Sequence, residues 1–70
     1  MQQIALYGGT VRLYFDNKQR LYEDVYDIKY NDEAMTINLN NGMFVIVNMD
    51  KVACIETHPY TNKGGITNDK

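Results

Sequence analysis

Seventy residues with one cysteine, one histidine and no tryptophan make a single small domain, and a chain of this length buries only roughly 60% of the surface its unfolded form exposes. A disulfide framework is excluded because Cys54 has no partner, and a lone thiol fits a reducing compartment. Nine acidic against seven basic side chains give a net charge of −2 and a pI of about 5.1, which argues against a surface built to track a phosphate backbone.

The chain opens with "MQQIALYGGT", which lacks the basic start and long apolar run of a signal peptide, and nowhere do about 18 apolar residues follow one another. The expectation is a soluble protein of the cytoplasm, with no membrane contact. Ile4 and Leu6 can form a short extra strand ahead of Gly8 and Gly9. Those two glycines lack the spacing of a phosphate-binding loop and read as a bend. Val11, Leu13 and Phe15 then alternate with Thr10, Arg12 and Tyr14, and the polar run "DNKQR" closes this first strand.

The next segment, "LYEDVYDIKY", places Tyr22, Tyr26, Ile28 and Tyr30 at even positions and leaves Val25 out of step. Such a break in alternation marks a bulge, where a strand changes which side chains it buries. Leu21, Val25 and Ile28 also fit one face of a helix, but tyrosine, valine and isoleucine favour a pleated surface and predict a strand. "NDE" turns the chain into a third strand, in which Met35, Ile37 and Leu39 alternate with Ala34, Thr36 and Asn38. Asn41-Gly42 is a hairpin signal, "MFVIV" a fourth strand, "NMDK" a tight or 3₁₀ turn, and "VACIE" a short fifth strand. The sequence thus predicts an all-β fold over residues 1–58, a small antiparallel barrel or strongly bent sheet of about five strands. Residues 59–70, with Pro59 and two glycines, read as a flexible tail.

The fourth strand carries more apolar residues than one face of a strand can bury, because successive side chains point to opposite sides. Two registers are open. A two-residue loop at Asn41-Gly42 pairs Leu39 with Phe44 and leaves Met43, Val45, Val47 and Met49 as the surplus row. A three-residue loop over residues 40–42 slips the register, moves Met43, Val45 and Val47 to the Met35 face, and leaves Phe44 and Ile46 over. A curled barrel covering the row and an interface with another chain both account for it, since soluble monomers seldom expose a contiguous apolar patch.

Chemistry for catalysis is sparse. His58 has no cysteine or histidine at ligand spacing and reads as a solvated residue, so neither a metal nor a cofactor is expected. Cys54, between Ala53 and Ile55, reads as a small buried thiol. Five of the nine acids, Glu23, Asp24, Asp27, Asp32 and Glu33, cluster with Tyr22, Tyr26 and Tyr30. That cluster is either a charged strand edge that resists unwanted pairing or an acidic and aromatic surface for a basic partner. The competing function is a single-stranded nucleic-acid or regulatory barrel, with Tyr14, Phe15 and Tyr22 stacking bases and Arg12, Lys18 and Arg20 contacting phosphate.

The run of five short strands with a hairpin and a one-turn break at "NLNNGMFVIVNMDKVACIE" resembles small five-stranded barrels of the Sm-like or Src-homology type over residues 10–57. The short acidic chain, rich in Asn, Ile, Lys and Tyr, is also similar to accessory proteins of phages of Gram-positive bacteria. That second resemblance implies a non-enzymatic inhibitor that binds a host protein such as a defence nuclease. The sequence-based expectation is therefore a protein-interaction module that also associates with itself.

Overall fold

The computed structural model describes residues 1–61, so the expected tail lies outside the described residues from residue 62 onward. Five antiparallel strands form one sheet: β1 (Gln2–Tyr14), β2 (Gln19–Tyr30), β3 (Ala34–Leu39), β4 (Phe44–Asn48) and β5 (Cys54–His58), in the order β4-β3-β2-β1-β5. The sheet is open, with β4 and β5 at its edges. It is the bent-sheet form of the expected fold and not a closed barrel. A single 3₁₀ turn, Met49–Lys51, separates β4 from β5, and the Asn48 side chain caps it by accepting from the Asp50 amide at 3.0 Å.

The bend comes from irregular backbone in the two long strands. Tyr7 and Gly8 sit at positive φ, and between Ala5 and Gly9 the register of β1 on β2 shifts. Ile4 and Leu6, at even positions, thereby share the inner face with Val11 and Leu13, at odd positions. The N-terminal residues are thus one end of β1 rather than a separate strand. On β2, Asp24 also has positive φ, and further shifts flank Val25 on both of its neighbours. The out-of-step Val25 is a buried residue between two irregularities, and segment 21–30 is strand, not helix.

Gly9 is required at the bend for a steric reason. An added Cβ there would lie 2.0 Å from the His58 carbonyl oxygen, because the end of β5 crosses β1 against bare backbone. The Tyr60 amide then donates to the Leu6 carbonyl at 2.8 Å and fastens the end of β5 to the other half of β1.

The core on the inner face comprises Leu6, Val11, Leu13, Val25, Ile28, Met35, Ile37 and Val47. The pairing Ile4–Ile28–Ile37–Val45 runs across four strands and sets the side-chain direction of each. Residues 40–42 join β3 to β4, with Gly42 at φ 90°, and Ile37 faces Val45 while Asn38 faces Phe44. The two-residue Asn41-Gly42 turn, which would pair Leu39 with Phe44, is not the connection formed.

Candidate functional site

The register of β4 determines which of its side chains are left over. Val47 is buried, and Val45 and Met49 pack against the core as half-buried residues, so these three expected interface residues belong to the inner face. The surplus consists of Met43, Phe44 and Ile46, which are 64%, 60% and 67% exposed. Phe44 and Ile46 stand on the outer face beside Asn38 and Thr36 of β3.

The backbone of β4 is equally informative. Leu39 N–H donates to the Met43 carbonyl at 2.8 Å, and Met49 N–H donates to the Glu33 carbonyl at 2.9 Å. Antiparallel pairs alternate between hydrogen-bonded and non-hydrogen-bonded types, so the bonded pairs are 37 with 45 and 35 with 47. Phe44, Ile46 and Asn48 consequently direct their N–H and C=O groups away from β3. Among the described residues no strand pairs with that side of β4.

The two edges of the sheet are protected unequally. β5 carries Glu56 and His58 and is followed by Pro59, all features that discourage another strand from adding. Residues 34–49, which include all of β3 and β4, contain no charged side chain. Beside β4 lies an open groove of about 630 Å³, with Val45, Ile46 and Asn48 on one wall and Phe15, Lys18 and Tyr22 on the other.

The acidic cluster is divided by the fold. Glu23, Asp24, Asp32 and Glu33 are exposed, as is Tyr26, whereas Tyr22 and Tyr30 are half-buried against the core. Asp27, expected on a partner surface, is only 3% exposed. Its Oδ1 accepts from Asn38 Nδ2 at 2.7 Å and its Oδ2 from Gln3 Nε2 at 2.8 Å, which offsets the cost of removing a carboxylate from water. Asp24 serves the bend: its carbonyl accepts from the Asn40 amide at 3.0 Å and its carboxylate from the Asn40 side chain at 2.7 Å. Tyr26 meets Tyr7 edge to face, with ring centroids 6.5 Å apart.

The residues expected to hold nucleic acid are also separated. Arg12 and Tyr14 lie on the outer face, where Glu56 engages both: Tyr14 Oη donates to Glu56 Oε1 at 2.9 Å, and Arg12 Nε lies 3.7 Å from the same oxygen. His58 Nε2 lies 3.4 Å from Glu56 Oε2. The hydrogen bonds from Tyr14 and then His58 hold the Glu56 carboxyl below the usual carboxylate range, while the bond to Glu56 raises the Tyr14 hydroxyl above its ordinary value. Arg20 and Tyr22 pair with the inward-facing Leu13 and Val11 and so belong to the opposite side, where they line the groove with Lys18. Asp16 and Asp50 share that groove, so its charge is mixed.

Cys54 is exposed, not buried: it pairs with Tyr14 in register and therefore stands on the outer face. His58 is exposed as expected, at the end of β5. Among the described residues no group of three or more His, Cys, Asp and Glu is placed to hold a metal ion, and no helix is long and apolar enough to cross a membrane. Neither a protein-family model, nor a curated protein, nor a solved structure matches the chain.

Proposed function

We infer that this protein is a non-enzymatic interaction module that binds another polypeptide along the edge of β4. The observation that carries the reading is the coincidence, on one uncharged edge strand, of outward-directed backbone groups at Phe44, Ile46 and Asn48 with exposed side chains at Phe44 and Ile46. An added strand satisfies the backbone groups, and its side chains cover the apolar ones. Full burial of a side chain of the Phe or Ile type contributes roughly 1.5 to 3 kcal/mol before the cost of association is subtracted.

The test compares the immobilised chain with a Phe44→Asp, Ile46→Asp variant whose β content is confirmed by circular dichroism. In extract of the source cells, the unaltered chain is expected to retain a protein, either further copies or a different chain, that the variant does not. Equal retention by both would contradict the reading.

A further inference from the structure

We propose that the occupant of the β4 edge is a second copy of the same chain, paired antiparallel to β4 about a two-fold axis at Ile46. The inference rests on the β4 edge being an interaction edge, and it adds the partner and the register. Residues 44, 46 and 48 direct their backbone groups outward, and this set is symmetric about residue 46. Reversing a second β4 against the first therefore places Ile46 opposite the partner's Ile46, and Phe44 opposite the partner's Asn48. All three are hydrogen-bonded pairs, so no donor or acceptor is left over along the strand.

The side chains suit the same register. Phe44, Ile46 and Asn48 share the outer face, so each Phe44 is the diagonal neighbour of the partner's Ile46, a spacing that aromatic side chains bridge. The two Phe44 and two Ile46 side chains would form one apolar cluster flanked by Asn48. On the inner face Val45 would meet the partner's Val47, so the two cores become continuous. An isologous contact brings identical residues near one another, which is costly where they are charged, and residues 34–49 carry no charge. The β5 edge offers no such match, because Glu56 and His58 occupy it and Pro59 follows.

Charge exchange at the dyad tests both partner and register. Ile46 is exposed in the single chain, so Ile46→Lys and Ile46→Glu are expected to keep the fold, which thermal melts followed by circular dichroism verify. Light scattering during size-exclusion chromatography should give twice the 8.1 kDa chain mass for the unaltered protein. Each variant alone should be monomeric, with a dimer Kd raised at least about a hundredfold by like charges facing across the axis. An equimolar mixture of the two should recover the dimer, because a register that opposes residue 46 to itself brings the unlike charges face to face. In a mixed sample of isotope-labelled and unlabelled unaltered chain, an intermolecular cross-peak between the α-protons of Val45 and Val47 should appear, as expected for a non-hydrogen-bonded pair.

An unaltered chain that stays monomeric at millimolar concentration overturns the proposal. So does a dimer that Ile46→Lys leaves intact, or a pair of variants that mixing fails to rescue. A monomer that binds a different polypeptide, and loses it on Ile46→Lys substitution, overturns self-pairing while leaving the β4 edge as the binding surface.

Discussion

The carboxylate of Asp27 on β2 is held by the side-chain amide of Asn38 on β3 at 2.7 Å, and Asn38 is the register partner of Phe44 on β4. A buried polar contact at the middle of the outer face is thus one strand away from the exposed apolar pair. Replacing Asp27 by Ala strands the amides of Asn38 and Gln3 and is expected to cost about 1 to 3 kcal/mol in urea unfolding. Asp27→Asn should recover part of that loss, because either neighbouring amide can turn to present its oxygen. A stability unchanged by Asp27→Ala would mean that the pair contributes nothing to the fold.

Neighbouring residues of β4 should respond in opposite ways. Val47 is buried in the core, so Val47→Ala is expected to cost about 2 kcal/mol of stability. Ile46 points to the other face and is exposed, so Ile46→Ala should shift the stability of the single chain by no more than about 0.5 kcal/mol. Urea titrations at low protein concentration separate the two. Similar losses at both positions would contradict the three-residue loop register.

Gly9 gives a steric test of the bend. A methyl group there meets the His58 carbonyl oxygen at 2.0 Å, a contact that only backbone movement relieves. Gly9→Ala should destabilise the domain by about 1 to 3 kcal/mol. Amide exchange should rise first in β5 and at the Tyr60 amide, which donates to Leu6. Uniform loosening of all five strands would show that the crossing is not the local cause.

The Tyr14–Glu56 contact has two pH limits. Glu56 has a folded pKa below its ordinary value, so its contribution is present above the unfolded carboxylate pKa and is lost as pH falls through the folded one. Tyr14 has a folded pKa above its ordinary value, so its contribution is present below the unfolded phenol pKa and is lost as pH rises through the folded one. Carbon-13 NMR titration should show both displacements, and Glu56→Gln should bring Tyr14 back toward the normal phenol range. An unmoved Tyr14 in that variant would assign its shift to another cause.

Much of the sheet is legible in local pattern. Met35, Ile37 and Leu39 alternate cleanly because β3 has one buried face, and the break at Val25 is visible because two nearby irregularities reverse the alternation and then restore it. The reversal at Tyr7 and Gly8 is less visible, since two glycines announce flexibility but not that Leu6 and Val11 share a face. Asp27 reads as one acid among five because its burial depends on Gln3 and Asn38, which reach it only through strand pairing. Cys54 likewise reads as buried from its apolar neighbours, while its pairing with Tyr14 turns it outward. For the surplus row, composition allows two registers, and the hydrogen bonds at the two ends of β4 select Phe44 and Ile46.

The most direct measurement is amide hydrogen exchange of the unaltered chain across a range of protein concentrations, read residue by residue. The outward-directed amides of Phe44 and Ile46 should exchange rapidly in dilute solution and become protected as concentration rises. On β5, where the bonded pairs with β1 are 14 with 54 and 12 with 56, the amides of Ile55 and Thr57 point outward and should show no such change. Exchange at Phe44 and Ile46 that is independent of concentration, or protection that develops along β5 instead, would contradict self-pairing through β4.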